Sequence, residues 1–133
     1  MRTVLAIDPG SEKCGLAVVT EDDVLVRAVH PRHTVIGVAR DLATGYSVDA
    51  IVVGNGTGSS KLVDELRASL SSIPLRVVDE SGTTLRARAK FFEENPPRGF
   101  LRFIPRGLLT PPRPYDDFVA QILAERYLCE NQE

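Results

Sequence analysis

An α/β fold on a mixed five-stranded sheet, with helices on both faces, is what this 133-residue sequence predicts, and three observations predict it. Three strand-like apolar runs open the chain, separated by short turns, which is the pattern of an antiparallel meander. Two further apolar runs are each preceded by a segment of helical periodicity, which is the pattern of parallel strands joined by crossovers. A last segment of helical period closes the chain after a stretch too rich in proline to be regular.

Each element has its own justification. Residues 3–8, Thr-Val-Leu-Ala-Ile-Asp, read as a buried strand, and 14–20 as its hairpin partner across Pro9-Gly10-Ser11-Glu12. The acidic turn Glu21-Asp22-Asp23 leads to a third strand over 24–29. A helix over 34–44 follows, with Val35, Val38, Ala39 and Leu42 on one face. The almost wholly apolar run 49–54 reads as a central parallel strand. A glycine-rich loop, Gly54-Asn55-Gly56-Thr57-Gly58, opens a helix over 60–70, with Leu62, Leu66 and Leu70 in register. Pro74 breaks it, and 75–79 is the fifth strand. Ser81, Thr83 and Thr84 are cap candidates for a helix reaching about Glu94. Residues 95–114 hold six prolines and read as a long loop, whose Phe100, Phe103 and Leu108 are available for packing or for a partner. The last helix covers 115–129. The order βββαβαβα, loop, α is the arrangement of an RNase H-like fold, with right-handed crossovers expected. No repeat or linker divides the chain, so one domain is expected over 1–133.

Composition bounds the function. Apolar residues at 43% and charged ones at 26% describe a soluble globular protein. A formal net charge of −2 excludes a generally basic nucleic-acid binder. The charge is uneven, however. Arg86, Arg88, Lys90, Arg98, Arg102, Arg106 and Arg113 are seven of the sixteen basic residues, and between them only Glu93 and Glu94 are acidic. Such a patch attracts a polyanion even when the average charge does not, although a solvated arginine-rich loop has the same composition. No apolar run is long enough to span a bilayer, no signal peptide precedes the first strand, and Cys14 and Cys129 have no zinc spacing. A reducing cytoplasm is the expected compartment.

Three acidic positions stand at element ends. Asp8 closes the first strand, Glu80 follows the fifth, and Asp116 and Asp117 begin the last helix. In the expected fold, the carboxyl ends of the parallel strands face one crevice, and the last helix brings its first turn to it. Carboxylates gathered there repel one another, so a divalent cation is the natural stabiliser. Magnesium suits such a set, taking a few carboxylates, waters and phosphate oxygens, and two ions can drive phosphodiester cleavage. Taken singly, each acid has a plainer role: Asp8 terminating a strand before a turn, Glu80 beside a helix N-terminus, Asp116 or Asp117 favoured by the helix dipole. Their convergence on one rim is what favours the site. The glycine-rich loop lies on that rim too, but it lacks the lysine of a phosphate-binding loop and the spacing of a dinucleotide fingerprint. His30 and His33 are expected at the surface outside the crevice.

Ala6-Ile7-Asp8-Pro9-Gly10-Ser11 with Gly15-Leu16-Ala17-Val18 resembles the opening of the RuvC-like nucleases, and especially of the YqgF (RuvX) family. Ile51-Val52-Val53-Gly54 is similar to that family's middle strand. Val78-Asp79-Glu80 with Thr83, Thr84 and Ala87 is similar to its Asp-Glu-Arg segment, and Asp116 with Ala120, Ile122, Leu123, Glu125 and Tyr127 to its last helix. The resemblance implies an RNase H-like fold and a magnesium (or manganese) nuclease site made by Asp8, Glu80 and Asp116, with Asp117 the alternative third ligand. It also implies action on structured nucleic acid, in maturation of the small-subunit ribosomal RNA precursor or in resolving Holliday junctions. The chain departs from the family pattern at Ser81, where the family has arginine, and at Asn55-Gly56, where it has Leu-Pro.

The expected activity is therefore that of a metal-dependent endonuclease. Lys13, Asn55, Thr83, Arg86, Arg88 and Arg113 are expected to contact the nucleic acid, mainly through backbone phosphates. A homodimer is plausible for a two-fold junction substrate and unnecessary for an RNA. Ser81 motivates the alternative of a binding protein with weak or no cleavage. An actin-like nucleotide-binding domain would need two such units, which 133 residues do not accommodate.

Overall fold

The computed structural model describes residues 2–56, 58–79, 93–94 and 116–130, with the backbone alone at 116 and 130. Its elements are β1 (Thr3–Asp8), β2 (Lys13–Thr20), β3 (Val24–Pro31), a 3₁₀ turn (Arg32–Thr34), α1 (Val35–Gly45), β4 (Ala50–Gly54), α2 (Ser59–Ser69), β5 (Leu75–Val78) and α3 (Asp116–Glu130). Among the described residues the strands form one sheet in the order β3-β2-β1-β4-β5. The first three strands pair antiparallel, while β4 and β5 run parallel to β1. Of the helix expected to reach Glu94, residues 93–94 are described and are helical. The proline-rich stretch 95–114 lies outside the described residues.

β1 sits in the middle because it is apolar on both faces. Leu5 and Ile7 enter a core with Leu16, Val18, Ile51, Val53, Val35 of α1 and Leu62 of α2. Val4 and Ala6 enter a second core with Ala17, Val19, Val52 and the buried residues of α3. The sheet is thus sandwiched between α1 and α2 on one side and α3 on the other. Its register is pinned at the start of β4, where the Thr3 amide donates to Asp49 Oδ2 at 2.9 Å and the Asp49 amide donates to the Thr3 carbonyl at 2.8 Å.

Several element ends differ from the sequence expectation by one or two residues, and two of the differences have a clear physical cause. β3 continues past residue 29 to Pro31, because His30 and Pro31 pair with Cys14 and Lys13. Pro31 is tolerated there as the last residue of an edge strand, where no ladder donor is required. α2 begins one residue early, at Ser59, because Gly58 turns the chain into it with a left-handed φ of 78° that glycine adopts without strain.

α3 crosses β1 and β2 in a defined direction. At its far end the Arg2 guanidinium donates to the Leu128 carbonyl at 3.0 Å. Near its start Phe118 lies under the Arg27 guanidinium, 3.8 Å from Cζ to ring centroid. Arg27 stands opposite Ala17, which stands opposite Ala6. About 16 Å of helix separates Asp117 from Leu128, and about 13 Å of strand separates the Ala6 row from Arg2. The helix therefore runs antiparallel to β1, and its first turn is directed towards the carboxyl end of that strand.

From Asp117 to Ala124 α3 is buried on its whole circumference, and Phe118 is fully buried. Phe118→Ala is expected to destabilise the fold by about 3–5 kcal/mol, read as a lower urea midpoint with an unchanged slope.

Candidate active site

Of the expected site residues, Asp8 and Asn55 lie at the carboxyl edge of the parallel strands. Ile7 is level with Val53, and Gly54 with Val78, so Asp8, Gly54 and Val78 end their strands along one edge. The Asn55 amide donates to the Val78 carbonyl at 3.0 Å, which ties the loop after β4 to the end of β5. Strand alternation puts Asp8 on the same face as Val4 and Ala6, the face that α3 covers. Asp8 is half-buried there. Its cross-strand neighbour on β2 is Gly15, which contributes no side chain of its own.

The turn after Asp8 is shaped by contact. A Cβ on Gly10 would collide with the Lys13 carbonyl oxygen, so the chain must fold back closely at this point. This brings Lys13 to the start of β2, exposed and opposite Pro31. Asn55 is exposed on the same edge.

The paired acids at the start of α3 take different positions. Asp117 is buried, with Oδ2 at 3.4 Å from Arg27 Nε. Arg27 Nη1 donates to Gln121 Oε1 at 3.0 Å, and Nη2 to Glu94 Oε2 at 2.8 Å. Asp117 and Gln121 therefore form the helical row that faces β3. Asp116 heads the next row, which continues through Ala120, Leu123 and Tyr127. Leu123 and Tyr127 line a cavity of about 280 Å³ with Val77, Val78 and Asp79 at the end of β5. Asp116 thus belongs to the side of α3 that faces the parallel strands, and Asp117 to the side that faces the hairpin.

Glu80, Thr83, Arg86, Arg88 and Arg113 lie outside the described residues, as do the other members of the arginine-rich patch. Glu80 follows directly on Asp79, whose carbonyl accepts from Arg126 Nη1 at 3.4 Å. Among the described residues no three His, Cys, Asp or Glu side chains form a metal cluster; two of the three expected carboxylates, Glu80 and Asp116, have side chains outside that set. His33 lines an open cleft of about 590 Å³ beside α2, with Arg32, Lys61, Glu65 and the turn residues Gly10, Ser11 and Glu12 that follow Asp8.

Arg27 is the residue that sequence reading missed. The available signal was a single charge inside the apolar run Val24-Leu25-Val26-Arg27-Ala28-Val29, which needs an acidic partner if it faces a core. Glu94 supplies part of that partnership, with Oε2 at 2.8 Å from Arg27 Nη2.

No protein-family model and no curated protein sequence matches the chain. Solved structures do. RuvC of Thermus thermophilus in complex with a Holliday junction substrate superposes with a TM-score of 0.59 at 17% identity, over 98% of this chain and 96% of that one. A second structure of Thermus thermophilus RuvC gives 0.58 at 16% identity, over 96% and 95%. Fowlpox virus resolvase with its Holliday junction DNA gives 0.56 at 11% identity, over 98% and 99%. The fold is therefore RNase H-like. Within that class it is the arrangement found in RuvC and the poxvirus resolvase, spanned almost end to end.

Gly10→Ala is expected to push the Lys13 carbonyl away and destabilise the fold by about 1–3 kcal/mol, read as a lowered thermal midpoint.

Proposed function

We propose that this protein is a divalent-metal-dependent endonuclease that cleaves phosphodiester bonds in branched DNA. The observation that supports the reading is the direction of α3, whose first turn points towards the sheet edge at which Asp8 ends β1. That edge lies in a fold shared over nearly its full length with proteins solved on Holliday junctions.

The donor set suits magnesium or manganese. Asp8 offers hard carboxylate oxygens, half-buried, with Gly15 leaving room beside it. Asp8, Glu80 and Asp116 would hold the metal, and Asp116 is preferred to Asp117 because Asp117 is engaged by Arg27. Bound there, the metal lowers the pKa of a water and offsets charge at the phosphodiester.

The remaining work falls to the chain's own residues. β1 fixes Asp8 rigidly, since the strand is paired on both edges and its last turn-facing neighbour, Pro9, is buried. Lys13 and Asn55 are exposed at this edge, where they would bind backbone phosphates without reading sequence. Thr83, Arg86, Arg88 and Arg113 extend that contact, and a homodimer would match the two-fold symmetry of a junction. In hydrolysis a water oxygen forms the new P–O bond, and the displaced ester oxygen leaves carrying a proton. Among the described residues, no helix is long and apolar enough to cross a membrane, which is compatible with a cytoplasmic nucleic-acid partner.

The YqgF-like segments of the sequence make the small-subunit ribosomal RNA precursor the competing substrate, so both substrates belong in the assay. With magnesium present, wild type is expected to cut a four-way DNA junction, and Asp8→Asn to lose at least about a hundredfold in rate, the upper end of what outer-shell changes alone cost. Equal cleavage by both proteins would overturn the site. Preferential cutting of the RNA would overturn the DNA assignment, and tight binding with no cleavage under any divalent metal would favour a docking protein. Lys13→Ala is expected to weaken junction binding and to reduce the slope of log affinity against log salt by about 1, measured by fluorescence anisotropy.

A further inference from the structure

Arg27 lies on β3, two strands away from Asp8, yet it contacts the segments on either side of the expected Asp116 ligand position. All three of its guanidinium nitrogens are used: Nε on Asp117, Nη1 on Gln121 and Glu94, and Nη2 on Glu94. Its face stacks on Phe118. Gln121 is held in turn, its Nε2 donating to Glu125 Oε1 at 3.3 Å. Its partners on α3 thus occupy the first two turns, and Glu125 extends the row through Gln121, together with the acid at residue 94.

We infer that Arg27 is a positioning residue for the metal site. It fixes the azimuth and height of the first turn of α3 against the sheet. Asp116 precedes Asp117 on that turn, so rotating the helix by even part of a residue step would carry Asp116 away from Asp8. The Ala6–Ala17–Arg27 row explains why this device sits on β3. The two alanines let the helix approach the sheet closely, and the guanidinium then grips its flank. The same side chain also holds Glu94, an acid within the arginine-rich stretch. The ion pairs are shielded: the Asp117 side chain is only 7% exposed and that of Arg27 24%. Removing the arginine leaves a buried carboxylate facing no cation from β3, which the first turn relieves by moving.

This inference rests on the nuclease reading above, and its test separates the two. Manganese binding is measured by calorimetry in wild type, Arg27→Gln and Arg27→Lys, alongside magnesium-dependent cleavage of a four-way junction. Wild type is expected to bind manganese. Arg27→Gln is expected to bind it about 10–100-fold more weakly, to need correspondingly more magnesium for half-maximal cleavage, and to approach the wild-type rate at saturation. Arg27→Lys keeps the charge beside Asp117 but loses the two-pronged grip on Glu94, so an intermediate affinity is expected. Wild-type metal affinity in both folded variants would overturn the inference. Failure of both variants to fold would also overturn it, by assigning Arg27 to stability alone. No manganese binding by wild type would remove the nuclease reading and this inference with it.

Discussion

A strand buried on both faces and paired on both edges leaves only its ends available for chemistry, and β1 is such a strand. Val4, Leu5, Ala6 and Ile7 are fully or almost fully buried. Their pairing with β2 and β4 fixes the backbone on both edges. Asp8 is where this constraint is released into solvent. A carboxylate at that position is held by the whole core and does not have to be ordered at the moment of binding. The two apolar layers, the register with β4 and the tight turn at Gly10 all act on the same atom group. The cost of ordering it is met on folding rather than on binding.

α3 completes the arrangement from the other side of the chain. Its apolar burial decides that it packs on the sheet, and its polar row decides how it is rotated there. Burial is nondirectional, and a helix apolar around its first turns has several rotations of similar energy. Arg27 breaks that degeneracy with charge-assisted hydrogen bonds, which are directional. The doubled aspartate at the start of α3 then divides naturally. One acid faces the arginine on β3, and the other heads the row that faces the parallel strands.

The element order, the sheet class and the rim position of Asp8 were legible in the sequence because each rests on a local signal. Ile51 to Gly54 reads as a parallel strand from its unbroken apolar run, and α2 from its leucines and the glycine before it. The end of β3 was not legible, since His30 and Pro31 are strand residues only through their partners Cys14 and Lys13. The division between Asp116 and Asp117 was equally hidden. Adjacent acids look alike until the residue that pairs with one of them is known, and Arg27 is ninety positions away along the chain. The same holds for Glu94, which lies within an arginine-rich stretch of sequence yet pairs in space with Arg27 on β3. Long-range pairing of charges leaves no periodicity to read.

The central claim is that carboxylates distant in sequence meet beside Asp8 to bind a divalent cation. Anomalous diffraction from crystals soaked in manganese tests it most directly. A manganese peak within ligand distance of Asp8, shared with Glu80 and Asp116, is the predicted result. A crystal in which Asp8 binds no metal while Glu80 and Asp116 point elsewhere would contradict the account.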